Sequence, residues 1–242
     1  MDNPLEYNLT ALNLGKHVVT ANKGPVVYGF DQLTKLARDR NKGFYYESAV
    51  MDGAPIFSLF RESLPLINLK GFHGILNSCT NYLLDLMGSG LSSEDAVTRA
   101  KEIGITETDP SVDIDGWDAA IKVAALSTVL MGIPLLPTNV DRTGIAGITP
   151  EMIRSAREDN KKWKLVCTAR RDGNRLTEAS VKPQLVDQSS PLYLVNGTSS
   201  FVQFETDVLP GLGILEEDPS PFTTAYGLLA DITSIIKKYY NY

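Results

Sequence analysis

Apolar positions recur along the chain with two different periods, and the changes of period divide it into elements. A short helical stretch over 9–14 (LTALNL) closes at Gly15, and 17–21 (HVVTA) then reads as a short buried strand rich in β-branched residues. A helix over about 30–39 and a second strand over 44–50 follow, which is the helix–strand rhythm of a parallel α/β sheet. From Gly71 onward the period is helical. Helices are predicted over 81–87, over 92–103 with Ser92 or Ser93 as cap and Glu94 and Asp95 in the first turn, and over 116–132, stopped by Pro134 and Pro137. The second half alternates instead, with strands expected at 164–169, 178–183, 192–195 and 201–208 and a hairpin-like Asp172–Gly173 turn after the first. A last helix is expected over 223–239, and no internal repeat or low-complexity run interrupts the series.

The opening is unusual for this rhythm. A nucleotide-binding α/β sheet begins with a strand and a glycine-rich turn, and no GxGxxG stands in the first stretch, so the expectation is a chain short at its N-terminus. Composition then removes whole classes of function. No run approaches the roughly 18 to 20 unbroken apolar residues of a membrane helix. A net charge of −6 argues against a nucleic-acid surface, which gathers Lys and Arg. The two cysteines, Cys79 and Cys167, lie far apart without a CxxC, so neither a disulfide framework nor a zinc site is indicated, and a reducing cytoplasmic setting is the expectation. The first residues lack the pattern of a signal peptide.

Candidate chemistry concentrates on the helix from Trp117 to Ile133, where twelve of seventeen residues are apolar and only Asp118 and Lys122 are charged. Their i, i+4 spacing puts both side chains on one face. An exposed pair of this kind contributes only a few tenths of a kcal/mol, about 0.3–0.5; on a helix apolar nearly all round, the same pair is buried and costly enough to mark function. Upstream, Glu107, Asp109, Asp113 and Asp115 join Asp118 to place five carboxylates in twelve residues. An EF-hand is excluded, because aligning its DxDG step puts Ser111 at the first ligand position and Lys122 at the twelfth. Two readings stay open: a solvated acidic turn with a helix cap, or a pocket for an ammonium-bearing ligand beside Lys122. Two further clusters are Thr20–Ala21–Asn22–Lys23–Gly24 at the carboxyl end of the first strand, where α/β sheets collect ligands, and Asn77–Ser78–Cys79–Thr80–Asn81, suited to helix capping or to ligand hydrogen bonds. Cys79 has no spacing of a nucleophile. His17 and His73 read as structural, and no Ser/His/Asp arrangement can be argued.

Four segments, GKHVVTANKGPVV (15–27), YYESAVMDGAPIF (45–57), GILNSCTNYLLDLM (74–87) and GITETDPSVDIDGWDAAIKVAAL (104–126), together resemble the homoserine dehydrogenase family, in its order and at its spacing. The resemblance implies a fold class of α/β type: part of a Rossmann-type nucleotide-binding domain over 1–52, an α+β substrate-binding and dimerisation domain with a mostly open sheet over 53–212, and a C-terminal helix over 213–242 returning to the nucleotide domain. It implies an NAD(P)-dependent oxidoreductase that interconverts L-homoserine and L-aspartate 4-semialdehyde in threonine and methionine biosynthesis, acting as a homodimer on a small amino-acid substrate. Matched position by position, Lys122 is the proton donor to the substrate carbonyl and Asp118 the acid one turn before it that helps bind substrate. Glu107 holds the substrate amino group. Thr20, Lys23 and Gly104 are cofactor contacts, and backbone carbonyls of Glu47, Val50, Asp52 and Ala54 are a sodium site of some members.

Two departures from the family accompany the match. The strand and GxGxxG turn that hold the pyrophosphate at a helix N-terminus are absent, so full cofactor binding is not expected of this chain alone, nor can NAD be told from NADP. Before the final helix, where many members carry a glycine-rich turn, this chain reads Glu216–Glu217–Asp218–Pro219–Ser220–Pro221. The alternatives are therefore a related oxidoreductase for another small aldehyde or hydroxy acid, and a non-catalytic dimerising remnant that keeps the pocket.

Overall fold

The computed structural model describes residues 3–106 and 109–240. In chain order the helices are α1 (Pro4–Asn13), α2 (Lys23–Tyr28), α3 (Phe30–Asp39), α4 (Ser78–Gly88), α5 (Ser93–Glu102), α6 (Ser111–Ile114), α7 (Trp117–Leu130), α8 (Pro150–Glu158) and α9 (Pro221–Tyr240). The strands are β1 (Val18–Val19), β2 (Phe44–Tyr45), β3 (Leu69–Ile75), β4 (Asp141–Arg142), β5 (Lys161–Asp172), β6 (Arg175–Asp187), β7 (Ser200–Thr206) and β8 (Leu212–Glu216). They form two compact units, one of residues 1–67, 124–136 and 219–242, the other of 68–123 and 137–218.

In the first unit β1 and β2 pair in parallel, Val18 opposite Phe44 and Val19 opposite Tyr45. Asn22 caps α2, its side chain accepting from the Gly24 N–H at 2.8 Å, so the segment that reads as a turn in the sequence starts a helix at Lys23. The strand expected over 44–50 ends at Tyr45. Glu47 ends it: its N–H donates to the Asp231 carboxylate at 2.7 Å, and its own carboxylate accepts from the Phe57 and Ser58 N–H groups at 2.7 and 2.8 Å. Those bonds take the backbone out of the ladder, and Glu47–Ala49 curls into a single 3₁₀ turn. Against it α9 buries Gly227, Asp231 and Ile235, a stripe at i, i+4. The approach is so close that a Cβ on Gly227 would stand 2.2 Å from the Ser48 hydroxyl.

The second unit is built on a six-stranded sheet of order β4-β6-β5-β3-β7-β8, antiparallel except for the β4–β6 pair. The β5–β6 hairpin turns at Asp172–Gly173, with Gly173 at φ +56° as the sequence predicts. The central strand β3 was hidden in the sequence by Gly71 and Gly74. A Cβ on Gly74 would lie 2.1 Å from the Phe201 carbonyl oxygen, so the residue that weakens strand propensity is the one that lets β7 approach. Residues 192–195 are not a strand: Pro191 and the Ser190 hydroxyl, which accepts from the Leu192 N–H at 3.3 Å, set a 3₁₀ turn. Its Leu192, with Val195, joins Ile75, Val166 and Val186 in a buried apolar cluster. Also unread in the sequence, α8 is capped by Thr149 with Pro150 in its first turn and buries Ile153 and Ala156.

Candidate functional site

The site is assembled in the second unit where β3 ends and α4 and α7 begin. β3 runs out at Ile75, leaving the Leu76 carbonyl at the strand's carboxyl end, and Asn77 turns the chain into α4. The Asn77 side-chain oxygen caps that helix, accepting from the Thr80 N–H at 2.7 Å and the Thr80 hydroxyl at 2.8 Å. Its amide nitrogen is therefore oriented outward. It donates to Asp113 at 2.7 Å and to Asp118 at 3.0 Å, drawing α6 and α7 onto one point.

On α7, Lys122 donates from Nζ to the Leu76 carbonyl at 2.6 Å and lies 3.3 Å from the Asp118 carboxylate. The side chains of Lys122 and Asp118 are 14% and 19% exposed, which removes the reading of a solvated surface pair. An ion pair so far desolvated repays its cost only with further hydrogen bonds, and Leu76 and Asn77 supply them. The start of α7 is fixed from β4: the Arg142 guanidinium lies 3.8 Å over the Trp117 ring and donates to the Asp115 carbonyl. Between them Gly116, at φ +81°, makes the left-handed step into the helix.

The acidic run divides. Asp113 and Asp118 converge on Asn77, whereas Asp109 accepts from the Ser111 N–H at 3.0 Å and faces solvent, and Asp115 contributes its backbone carbonyl to Arg142. Glu107 lies outside the described residues. Burial pushes Asp113 above the ordinary carboxylate range, the Asp118 charge adds to this, and the Asn77 amide opposes it. Burial pushes the thiols of Cys79 and Cys167 up to about 12, so neither is a thiolate nucleophile at neutral pH. What the arrangement offers is one nearly buried ammonium, anchored at two points beside carboxylates, at the carboxyl end of a central strand. That is the equipment of a proton donor rather than of a nucleophile.

A solved homoserine dehydrogenase from Thiobacillus denitrificans superposes with a TM-score of 0.90 at 30% identity, over 98% of this chain and 55% of that one. A hyperthermophilic archaeal homoserine dehydrogenase mutant, solved in complex with NADPH, superposes at 0.83 with 33% identity, over 97% of this chain and 68% of that one. The family model described as homoserine dehydrogenase matches residues 55–233. The chain belongs to the homoserine dehydrogenase family. Its relatives include an NAD(+)-dependent homoserine dehydrogenase of Pseudomonas canavaninivorans, 36% identical over 93% of this chain and 64% of that protein. The homoserine dehydrogenase of Pyrococcus horikoshii is 33% identical over 99% of this chain and 70% of its own length. The chain thus spans about two thirds of these curated relatives. The family is one of NAD(P)-dependent oxidoreductases, and no described helix is long and apolar enough to cross a membrane.

The other residues that the family resemblance marks are distributed as follows. Gly104 ends α5 at φ +74°, its N–H donating to the Lys101 carbonyl at 3.0 Å, with no atom within 4 Å of where a Cβ would stand. Thr20 and Lys23 belong to the first unit. The Thr20 hydroxyl accepts from the Asn22 N–H at 3.0 Å, and Lys23 opens α2. Glu47, Val50, Asp52 and Ala54 line a tight loop of the same unit, where Asp52 sits at φ +36° and accepts from the Thr224 hydroxyl at 2.7 Å, and the Ala54 carbonyl accepts from the Ile56 N–H at 2.8 Å. Among the described residues no group of three His, Cys, Asp or Glu side chains could hold a metal.

Two participants escaped the sequence reading. Arg142 carries no local signal, since its partners are Asp115 and Trp117 across the chain. Lys164, fully buried in β5, gives its three protons to Asn81 (2.7 Å), Val195 O (2.7 Å) and Asp85 (3.0 Å), tying the sheet to α4 behind the site.

Proposed function

We propose that this chain carries the substrate-binding and proton-transfer machinery for the NAD(P)-linked interconversion of L-homoserine and L-aspartate 4-semialdehyde. The observation that carries the reading is the Lys122 ammonium held between the Leu76 carbonyl and Asp118, with Asn77 bridging Asp118 and Asp113. In the reducing direction Lys122 protonates the developing alkoxide, and in the oxidising direction it takes the hydroxyl proton. Asp118 orients Lys122. Asn77 and Arg142 position Asp118 and the start of α7, and Glu107 is assigned to the substrate ammonium. The nicotinamide, when bound, supplies or accepts the hydride. Thr20, Lys23 and Gly104 are assigned to cofactor contact by their match to the family. The loop 47–54 offers backbone carbonyls alone to sodium, and no step depends on it. A homodimer, a cytoplasmic setting and a place in threonine and methionine biosynthesis complete the reading.

The test is homoserine-dependent reduction of NAD⁺ and NADP⁺, followed at 340 nm on the chain and on any longer polypeptide that contains it, beside Lys122→Met. Loss of roughly 10²-fold or more in kcat with KM for homoserine changed far less is the expected signature of general acid–base catalysis. Normal kcat in Lys122→Met would remove the proton-transfer role. Turnover of another small hydroxy acid but not of homoserine would favour the related oxidoreductase suggested by Glu216–Pro221, and binding of homoserine without turnover in any polypeptide would favour the non-catalytic remnant.

A further inference from the structure

The first unit carries a cleft whose charge runs against that of the chain. It has a volume of about 280 Å³ and is walled by α3, by the segment 42–46, by Arg61 and by the end of α9. It continues into a second hollow of about 390 Å³ that shares Arg38, Lys42, Lys238 and Tyr239. Among the described residues the lining includes Arg38, Lys42, Arg61 and Lys238 and no Asp or Glu, in a protein of net charge −6.

These four cations are not equivalent. Arg61 is compensated: its Nε lies 2.7 Å from the Glu62 carboxylate, the Glu47 charge acts on it, and its guanidinium stacks 4.3 Å from the Tyr45 ring. Among the described residues Arg38, Lys42 and Lys238 form no ion pair. Arg38 and Lys238 stand in the last turns of α3 and α9, whose carboxyl ends carry about half a negative charge each. Three cations against those two helix ends leave the outer wall of the cleft with a positive surplus, while the Asp231, Glu47 and Glu62 carboxylates act on its Tyr45–Arg61 side. The surplus is felt locally. His17, whose Nδ1 accepts from the Gly43 N–H at 2.9 Å, is held below the ordinary imidazole range first by burial and then by the Lys42 charge. Tyr45 and Tyr239 complete the wall with neutral phenols, both raised above the ordinary range by burial.

We propose that this cleft binds a small dianion of the phosphate class through Arg38, Lys42 and Lys238. Three cations lining the same hollow favour a dianion over a monocarboxylate. The hollow has the size of a small-molecule site, and the overall negative charge of the chain disfavours an extended polyanion.

The experiment is calorimetric titration of the full chain with inorganic phosphate, and separately with malonate and acetate, at pH 7.5 and constant ionic strength set with chloride. The His17 ring protons are followed by NMR in parallel. One saturable phosphate site is expected, with affinity at least tenfold weaker in Arg38→Ala/Lys42→Ala. Phosphate should raise the His17 pKa in the unaltered protein and leave it unmoved in the double variant. The surface position of Arg38 and the circular dichroism spectrum of the variant check that the fold is kept. Malonate binding as tightly as phosphate would reassign the cleft to dicarboxylates and overturn the phosphate class. No saturable heat, binding unchanged by the double variant, or binding that leaves His17 unmoved would each overturn the site.

Discussion

Asp231 provides the sharpest quantitative test of the first unit. It is 2% exposed on the inner stripe of α9 and accepts from the Glu47 N–H at 2.7 Å. Its pKa is pushed up to about 6 from 3.8 by burial, with the Glu47 charge adding to the effect and the Glu47 N–H and Arg61 opposing it. A folded-state value above the unfolded one means that the group's stabilising contribution is complete below about pH 4 and is lost as pH rises through about 6. At about 1.4 kcal/mol for each tenfold change in acidity, the rise from 3.8 to about 6 sets an upper bound of about 3 kcal/mol on the cost of ionising Asp231 in the folded chain. Because buried sites respond with an effective dielectric constant nearer ~20 than ~4, the expected effect is about 1–2 kcal/mol.

Asp231→Asn replaces the acid by an isostere of its protonated form, with a carbonyl oxygen that still accepts from Glu47. The variant is expected to be more stable than the parent at pH 8 by about 1–2 kcal/mol, and this gain should shrink to nothing by pH 4. Both tryptophans lie in the second unit, so their fluorescence is the wrong reporter. Hydrogen exchange of the 44–58 segment, corrected for intrinsic rates and measured at pH 4.5, 6 and 8, reads the relevant opening directly. A gain of equal size at pH 4.5 and pH 8, or a loss at pH 8, would refute the linkage argument.

Other changes probe the second unit. Lys164→Met strips the Asp85 carboxylate of its cation and leaves Asn81 and Val195 without their donor, so a loss of about 3–5 kcal/mol is expected in urea unfolding followed by Trp163 fluorescence. Adding Asp85→Asn to that variant should recover part of the loss. Gly74→Ala drives a methyl into the Phe201 carbonyl, and circular dichroism melting should fall by more than 10 °C, since each kcal/mol moves Tm by roughly 2–4 °C in a chain of this size. Asn77→Ala removes the α4 cap, at a cost of about 1 kcal/mol, and removes a donor from Asp113. The Asp113 titration, followed by NMR, should consequently move further up.

How much of this was legible in the sequence depends on the distance over which each interaction is decided. Asp118 and Lys122 could be paired from the sequence because both ends lie on one helix, where the 3.6-residue period alone sets their approach. The β5–β6 hairpin and the cap of α5 were readable for the same reason. Asn77 was singled out as part of a polar cluster with two possible uses, and the structure shows capping by its oxygen and carboxylate binding by its nitrogen. That second use joins residues 36 and 41 positions apart and follows from where β3 delivers the chain. Glu47 shows the converse. Its neighbours predict a continuing strand, but a partner 184 residues away claims its N–H and ends the ladder. Lys164 is the extreme case, a charged residue in a strand pattern with no sequence cue for burial, made tolerable only by three acceptors drawn from α4 and the 195–197 turn. Lys122 and Lys164 thus obey one rule: an ammonium enters the interior only where carbonyls and a carboxylate already converge. At Lys164 all three protons are taken up by the frame. Lys122 is fixed against Leu76 and Asp118 at the strand's carboxyl end, and this difference in placement is what supports the proton-transfer role proposed for Lys122 and not for Lys164.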